Sequence, residues 1–126
     1  MRIRGEADIV ASRQAVRALT QRLKFSLVDQ TKMITAASEL SRNTVVYGGG
    51  GDMDWEIVDD GKRTGLRLQF RDQGPGIADM DLALKDGWTS GKGMGLGLSG
   101  SKRLVHDFHI DSAVGRGTCV SVTRWK

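Results

Sequence analysis

Apolar residues recur at helical spacing through the early part of the chain. Ile9, Val16, Leu19 and Leu23 fall on one stripe and predict a helix from Ile9 to about Leu23, with Asp8 available to cap it. Ahead of it, Arg2 to Arg4 predicts a short strand. Met33, Ala37 and Leu40 make a second stripe, predicting a helix that starts after Asp29, runs to about Tyr47 and is stopped by Gly48 to Gly51. The period then changes. Met53 to Val58 and Leu66 to Phe70 predict strands joined by a turn around Asp59 to Lys62. In the second strand Leu66, Leu68 and Phe70 share one face, and Arg67, Gln69 and Arg71 share the other.

Beyond these strands the pattern predicts a short helix near Met80 to Lys85 and a longer one over Leu96 to Phe108, with Leu98, Leu104, Val105 and Phe108 inward. A hairpin closes the sequence: Ile110 to Val114, a turn at Gly115 to Gly117, then Thr118 to Thr123. This order predicts an α+β two-layer sandwich, a mixed but mostly antiparallel sheet with helices on one face. Neither an internal repeat nor a linker is visible, so residues 1–126 are expected to form a single domain.

Composition adds one unusual fact, 17 glycines against one proline, which points to backbone positions needing positive φ or close ligand approach. No apolar run reaches the length of a membrane span, and the first residues do not resemble a signal peptide. The single Cys119 cannot form an internal disulfide, consistent with a reducing cytoplasm. A net charge of +4 favours acidic partners or phosphates without requiring nucleic acid.

Four polar or glycine-rich patches carry candidate chemistry. Glu39 and Asn43 are spaced i, i+4 on the second helix, so they share a face one turn apart. An isolated pair of this kind more often belongs to a solvated face. An asparagine oxygen nevertheless suits Mg²⁺, and a carboxylate one turn back can take a proton from an attacking hydroxyl. Asp72-Gln73-Gly74-Pro75-Gly76 follows a strand, where it reads either as a plain turn or as a wall bare of side chains beside a flat base. In the second case Asp72 can accept from the exocyclic amine of adenine, where guanine presents a carbonyl.

The run from Gly91 to Gly97 opens a helix, so its amides can receive phosphate oxygens. It is no dinucleotide fingerprint, because Gly95-Leu96-Gly97-Leu98-Ser99-Gly100 follows no clear strand and lacks a suitable acid downstream. It is no P-loop either, since Gly93 follows Gly91-Lys92 and Asp86 stands at the first glycine position. What remains is a flexible lid over the phosphates or a plain surface loop; as a lid it has Trp88, Thr89, Ser90 and Lys92 at its tip, with Lys92 in reach of a terminal phosphate. The fourth patch is Gly117-Thr118. His106 and His109 lack a fuller ligand set for zinc, and Cys119 alternates with Val120 and Val122 as packing. Arg13, Arg17, Arg22 and Lys24 charge the first helix, a face that is either solvated or a docking surface for an acidic partner.

Taken together, Glu39-Leu40-Ser41-Arg42-Asn43, Asp72 to Ile77, Gly93-Met94-Gly95-Leu96-Gly97-Leu98 and Gly117-Thr118 resemble the GHKL nucleotide-binding fold of gyrase, a heat-shock chaperone, histidine kinases and MutL proteins. Finer matches at Asp8 to Arg13, Asp29-Gln30, Thr35 to Asn43, Asp86-Gly87, Lys102 to Leu104 and Asp107-Phe108 resemble the RsbT switch kinases of the bacterial stressosome. Ser99, where proline is expected, and His106, where an acid is more usual, depart from that pattern.

The resemblance implies a serine/threonine protein kinase using ATP and Mg²⁺ in the cytoplasm. Glu39 would be the base and Asn43 the metal ligand. Asp72 would read adenine, with Thr118 assisting. Gly74, Gly76, Lys92 and the stretch Gly93, Met94, Gly95, Leu96, Gly97 and Leu98 would complete the nucleotide site. STAS-domain proteins are the implied substrates, and a metal-dependent protein phosphatase or another regulator the implied downstream partner. Neither nucleic acid nor membrane is among the expected partners. An anti-sigma factor kinase shares the same motifs and is the alternative. A binder using ATP only structurally would not need Glu39, and a histidine-kinase catalytic domain would need an added dimerisation helix pair.

Overall fold

A computed structural model describes residues 1–74 and 97–126. In chain order the described elements are β1 (Arg2–Ile3), α1 (Glu6–Arg22), α2 (Leu27–Val46), β2 (Gly51–Asp59), β3 (Thr64–Asp72), α3 (Gly97–Arg103), β4 (Asp107–Ala113) and β5 (Gly117–Trp125). The helix expected at Met80 to Lys85 lies outside the described residues.

The helix ends differ from the sequence expectation for local reasons. α1 starts at Glu6 behind Gly5, and Asp8 caps nothing within the helix; its Oδ2 accepts from the Arg4 amide at 2.8 Å, tying the first turn to β1. α2 begins at Leu27, because the Ser26 hydroxyl accepts from the Asp29 amide at 3.1 Å as an N-cap. Asp29 is therefore inside the first turn. Between the two helices Lys24 takes φ 62°, and Phe25 N–H returns to the Thr20 carbonyl at 3.0 Å while Lys24 N–H returns to Gln21. That is a Schellman turn, and it drives Phe25 into the core.

The sheet order is β1-β2-β3-β5-β4, and every neighbouring pair is antiparallel. Met53, Leu66, Leu68, Phe70, Val120 and Val122 line its inner face. α1 and α2 lie over that face, with Val16, Met33, Ala36, Ala37 and Leu40 buried between the layers, and α3 packs on α2. Full burial of each large aliphatic side chain contributes about 1.5–3 kcal/mol. The α1–α2 contact also holds a buried hydroxyl pair, Ser12 Oγ to Ser41 Oγ at 2.8 Å. The outer face is polar, with Arg67 on Glu56 at 2.7 Å and Arg71 on Asp54 at 3.2 Å.

α3 is shorter than expected. It ends at Arg103, and Asp107-Phe108 belong to β4, where Phe108 and Ile110 alternate with Asp107, His109 and Asp111. Leu104 and Val105 still pack into the core, from the connection between the two elements. Pairing of β4 with β5 supplies the backbone partners that a longer helix would otherwise have supplied.

Arg124 clamps the far end of the molecule. Its guanidinium donates to Asp29 Oδ1 at 2.6 Å and 3.1 Å and to the Leu104 carbonyl at 2.9 Å, joining α2, β5 and the α3–β4 connection. The Arg124 hydrogen bonds hold the Asp29 carboxyl below its ordinary value. Among the described residues no helix is long and apolar enough to cross a membrane.

Candidate functional site

The C-terminal end of α2 and the end of β3 are pressed together. Tyr47 N–H closes on the Asn43 carbonyl at 2.9 Å, Gly48 follows, and Gly49 and Gly50 take φ +73° and +107° to swing the chain into β2. Gly48 lies directly against Asp72: a Cβ there would fall 2.7 Å from Asp72 Oδ2 and nearer still to Asp72 Cγ. Gly74 is equally confined, since its Cβ would fall 2.7 Å from Gly48 Cα and 3.0 Å from the Tyr47 carbonyl. Two bare backbones thus meet around one carboxylate.

Asp72 is half-buried, and its Oδ1 accepts from the Gly74 amide at 2.9 Å. Among the described residues Oδ2 accepts no hydrogen bond. Register places Thr118 opposite Asp72 on β5 and Ser112 opposite Thr118 on β4, and the two hydroxyls are 2.8 Å apart. Gly117, at φ +85°, turns the chain beneath this row, where a side chain would strike the Asp72 carbonyl. Asp72, Thr118 and Ser112 form a polar row across three strands.

Glu39 and Asn43 lie farther up α2, both half-buried and one turn apart. Neither side chain has a hydrogen bond or ion pair among the described residues. Helical rise puts Glu39 about 10 Å along the axis from Val46, the last residue of α2, with Asn43 between them. The neighbouring Arg42 turns instead toward α1, with Nη1 3.7 Å from Glu6. Among the described residues, Asp72 Oδ2, Glu39 and Asn43 are polar groups without a hydrogen-bond partner, and Gly48 and Gly74 leave the backbone beside Asp72 bare of side chains.

Several expected residues lie outside the described ones: Gly76, Lys92, Gly93, Met94, Gly95 and Leu96, together with Trp88, Thr89 and Ser90. Gly97 opens α3, and Leu98, next along it, is half-buried against the core. Ser112 and Gly48 escaped the sequence reading. Ser112 could have been found from the hairpin register across Gly115 to Gly117. Gly48 looked only like a helix stop. His106 has a structural task, its Nδ1 accepting from the Trp125 amide at 2.9 Å, and Cys119 is half-buried in β5.

A five-stranded antiparallel sheet under two long helices is the α+β architecture of a known class of nucleotide-binding ATPases. Residues 28–126 match the family of histidine kinase-, DNA gyrase B- and HSP90-like ATPases, and the chain belongs to it. Over 125 residues the chain is 42% identical to the serine/threonine-protein kinase RsbT of Bacillus subtilis (strain 168), covering 99% of this chain and 94% of that protein.

Proposed function

We propose that this chain is an ATP-dependent protein serine/threonine kinase that acts as a partner switch. The observation that carries the reading is the pair Glu39 and Asn43, half-buried and without a partner among the described residues, on one face of a helix whose end packs against Asp72. Membership of the ATPase family supports nucleotide binding, and the likeness to a named serine/threonine kinase over nearly the whole chain supports protein as the acceptor.

In this reading Asp72 orients adenine through its free oxygen, and Thr118 adds its hydroxyl from β5. Asn43 holds Mg²⁺, which neutralises phosphate charge when bound. Glu39 takes the proton of the incoming serine or threonine hydroxyl. Gly74 and Gly76 leave room for the base. Lys92, Gly93, Met94, Gly95, Leu96, Gly97 and Leu98 are assigned to the phosphate side. Phosphoryl transfer needs mainly positioning and charge neutralisation, so few groups suffice. The acceptors are STAS-domain proteins, the downstream partner is a metal-dependent phosphatase or similar regulator, and the setting is cytoplasmic, with residues 1–126 acting as one domain.

The test is transfer of labelled γ-phosphate from ATP to STAS-domain proteins encoded beside the gene, with Glu39→Gln as the control. The variant should bind ATP as the parent does and lose roughly 10²–10⁴-fold in rate. Parent-like turnover by Glu39→Gln at saturating ATP and acceptor would remove Glu39 as the base. An anti-sigma factor kinase would instead label an anti-sigma antagonist and hold a sigma factor when ATP is bound.

A further inference from the structure

β2 is nine residues long, yet among the described residues its outer edge is paired only at its beginning. β1 covers Gly51 and Asp52. Met1 extends that pairing to Met53, whose N–H donates to the Met1 carbonyl at 2.8 Å and whose carbonyl accepts from the Met1 ammonium at 2.9 Å. Backbone groups on alternate residues of a strand point the same way, so the N–H and C=O of Trp55 and Ile57 lie on this same outer edge. No described strand pairs with them.

The side chains on this stretch divide by face. Trp55 and Ile57 are on the helix side and each is 49% exposed, although Met53, on the same face, is fully buried. Asp54 and Glu56 are on the other face and form the outermost column of charge, inside which stand Arg71 and Arg67. An open edge is normally blunted by lysine, proline or a bulge, and residues 54–58 contain neither lysine nor proline. We propose that this free edge receives an extended segment of a partner protein as an added strand in line with β1, a segment in which lysine or arginine alternates with aliphatic residues.

β1 already displays the chemistry on a small scale. Arg2 stands opposite Asp52, with its Nε 3.8 Å from the carboxylate, and Ile3 turns into the core. An incoming strand continuing this pattern would put its basic residues beside Asp54 and Glu56 and its aliphatic ones on Trp55 and Ile57, while its backbone satisfies the open edge. A second copy of the chain fits poorly. Antiparallel pairing of two β2 edges about Glu56 sets Glu56 against Glu56, and pairing about Trp55 sets Asp54 against Glu56. Pairing about Ile57 brings Asp54 toward Asp60. Like charges directly opposite are destabilising.

The probe is a blocked synthetic peptide of alternating lysine and valine, added at millimolar concentration to the full chain while amide exchange is followed by NMR. Exchange at Trp55 and Ile57 should slow, and exchange at Met53 and Glu56, which already have partners, should not change. A glutamate–valine peptide should give no protection. Ile57→Pro removes an outward N–H without breaking the β2–β3 ladder and should abolish the effect; Asp54→Lys should weaken it in a chain whose circular dichroism is unchanged. Absence of protection with the lysine peptide, or equal protection by both peptides, would overturn the proposal. Protection present without peptide and lost on dilution, together with a halved mass in sedimentation, would identify a second copy as the occupant and overturn it as well.

Discussion

Replacing Gly48 by alanine isolates the role of Asp72 without touching Asp72 itself. Gly48 does not occupy the left-handed region, so alanine can adopt its backbone conformation. What it cannot do is leave the Asp72 carboxylate in place, since the new methyl would lie 2.7 Å from Oδ2. The carboxylate must rotate away and give up its hydrogen bond from the Gly74 amide, and because the methyl would also lie 2.5 Å from Asp72 Cβ, which rotation does not move, the backbone at Gly48 or Asp72 must shift slightly as well. Hydrogen bonds to charged groups are worth about 1.5–3 kcal/mol, and half-burial here favours the lower part of that range. The fold should therefore survive with Tm lowered by several degrees. If the other oxygen accepts from adenine, a loss of similar size weakens ADP by roughly 10–100-fold. Isothermal titration of ADP into parent, Gly48→Ala, Asp72→Asn and the double variant is the assay. The two substitutions act on one group, so the double variant should bind hardly worse than either single one. ADP affinity in Gly48→Ala equal to the parent's would refute the placement of Asp72 in the pocket, and fully additive losses would refute the shared mechanism.

Asn43→Ala should keep the fold, because its side chain has no partner among the described residues, and should abolish the Mg²⁺ dependence of ATP affinity seen by titration with and without chelator. Gly117→Ala should cost stability by more than about 1–2 kcal/mol in chemical denaturation, since the positive φ is strained for alanine even before the clash with the Asp72 carbonyl. Asp29→Asn should lose about 1–2 kcal/mol at neutral pH, a value discounted for the partial exposure of the pair. Because the folded Asp29 pKa is lowered, that stabilisation is fully present above the ordinary carboxylate range and is lost as pH falls through the folded value. Denaturation curves of parent and variant should therefore begin to converge as pH falls below about 4 and meet only below the lowered folded value; a difference that stays constant into acid would assign the effect to packing.

Periodicity found the elements whose burial comes from one dominant face. The Met33, Ala37 and Leu40 stripe and the Leu66, Leu68 and Phe70 alternation were legible because each meets the core directly. Element ends were less so. Ser26 outcompetes Asp29 as the cap of α2 only because the Schellman turn at Lys24 and Phe25 fixes where the chain re-enters. Leu104, Val105 and Phe108 satisfy a helical spacing, while Phe108 and Ile110 satisfy a strand spacing equally well. The choice is made by β5, which offers Asp107 to Ala113 a full antiparallel ladder, and local sequence does not contain that offer.

The site divides in the same way. Glu39 and Asn43 are related by one helical turn, so their shared face follows from spacing alone. Asp72, Thr118 and Ser112 are related by sheet order, which places β5 between β3 and β4, and no short window of sequence can fix that order. Gly48 is the hardest case, because its necessity comes from an atom 24 residues away in the chain, the Asp72 carboxylate against which it packs. Four consecutive glycines concealed it. Gly49 and Gly50 are needed for their positive φ and Gly51 for the close approach of the Arg71 carbonyl, so each glycine answers a different constraint. A glycine run therefore marks where the chain is constrained, and only the packing tells which of its members shapes the pocket.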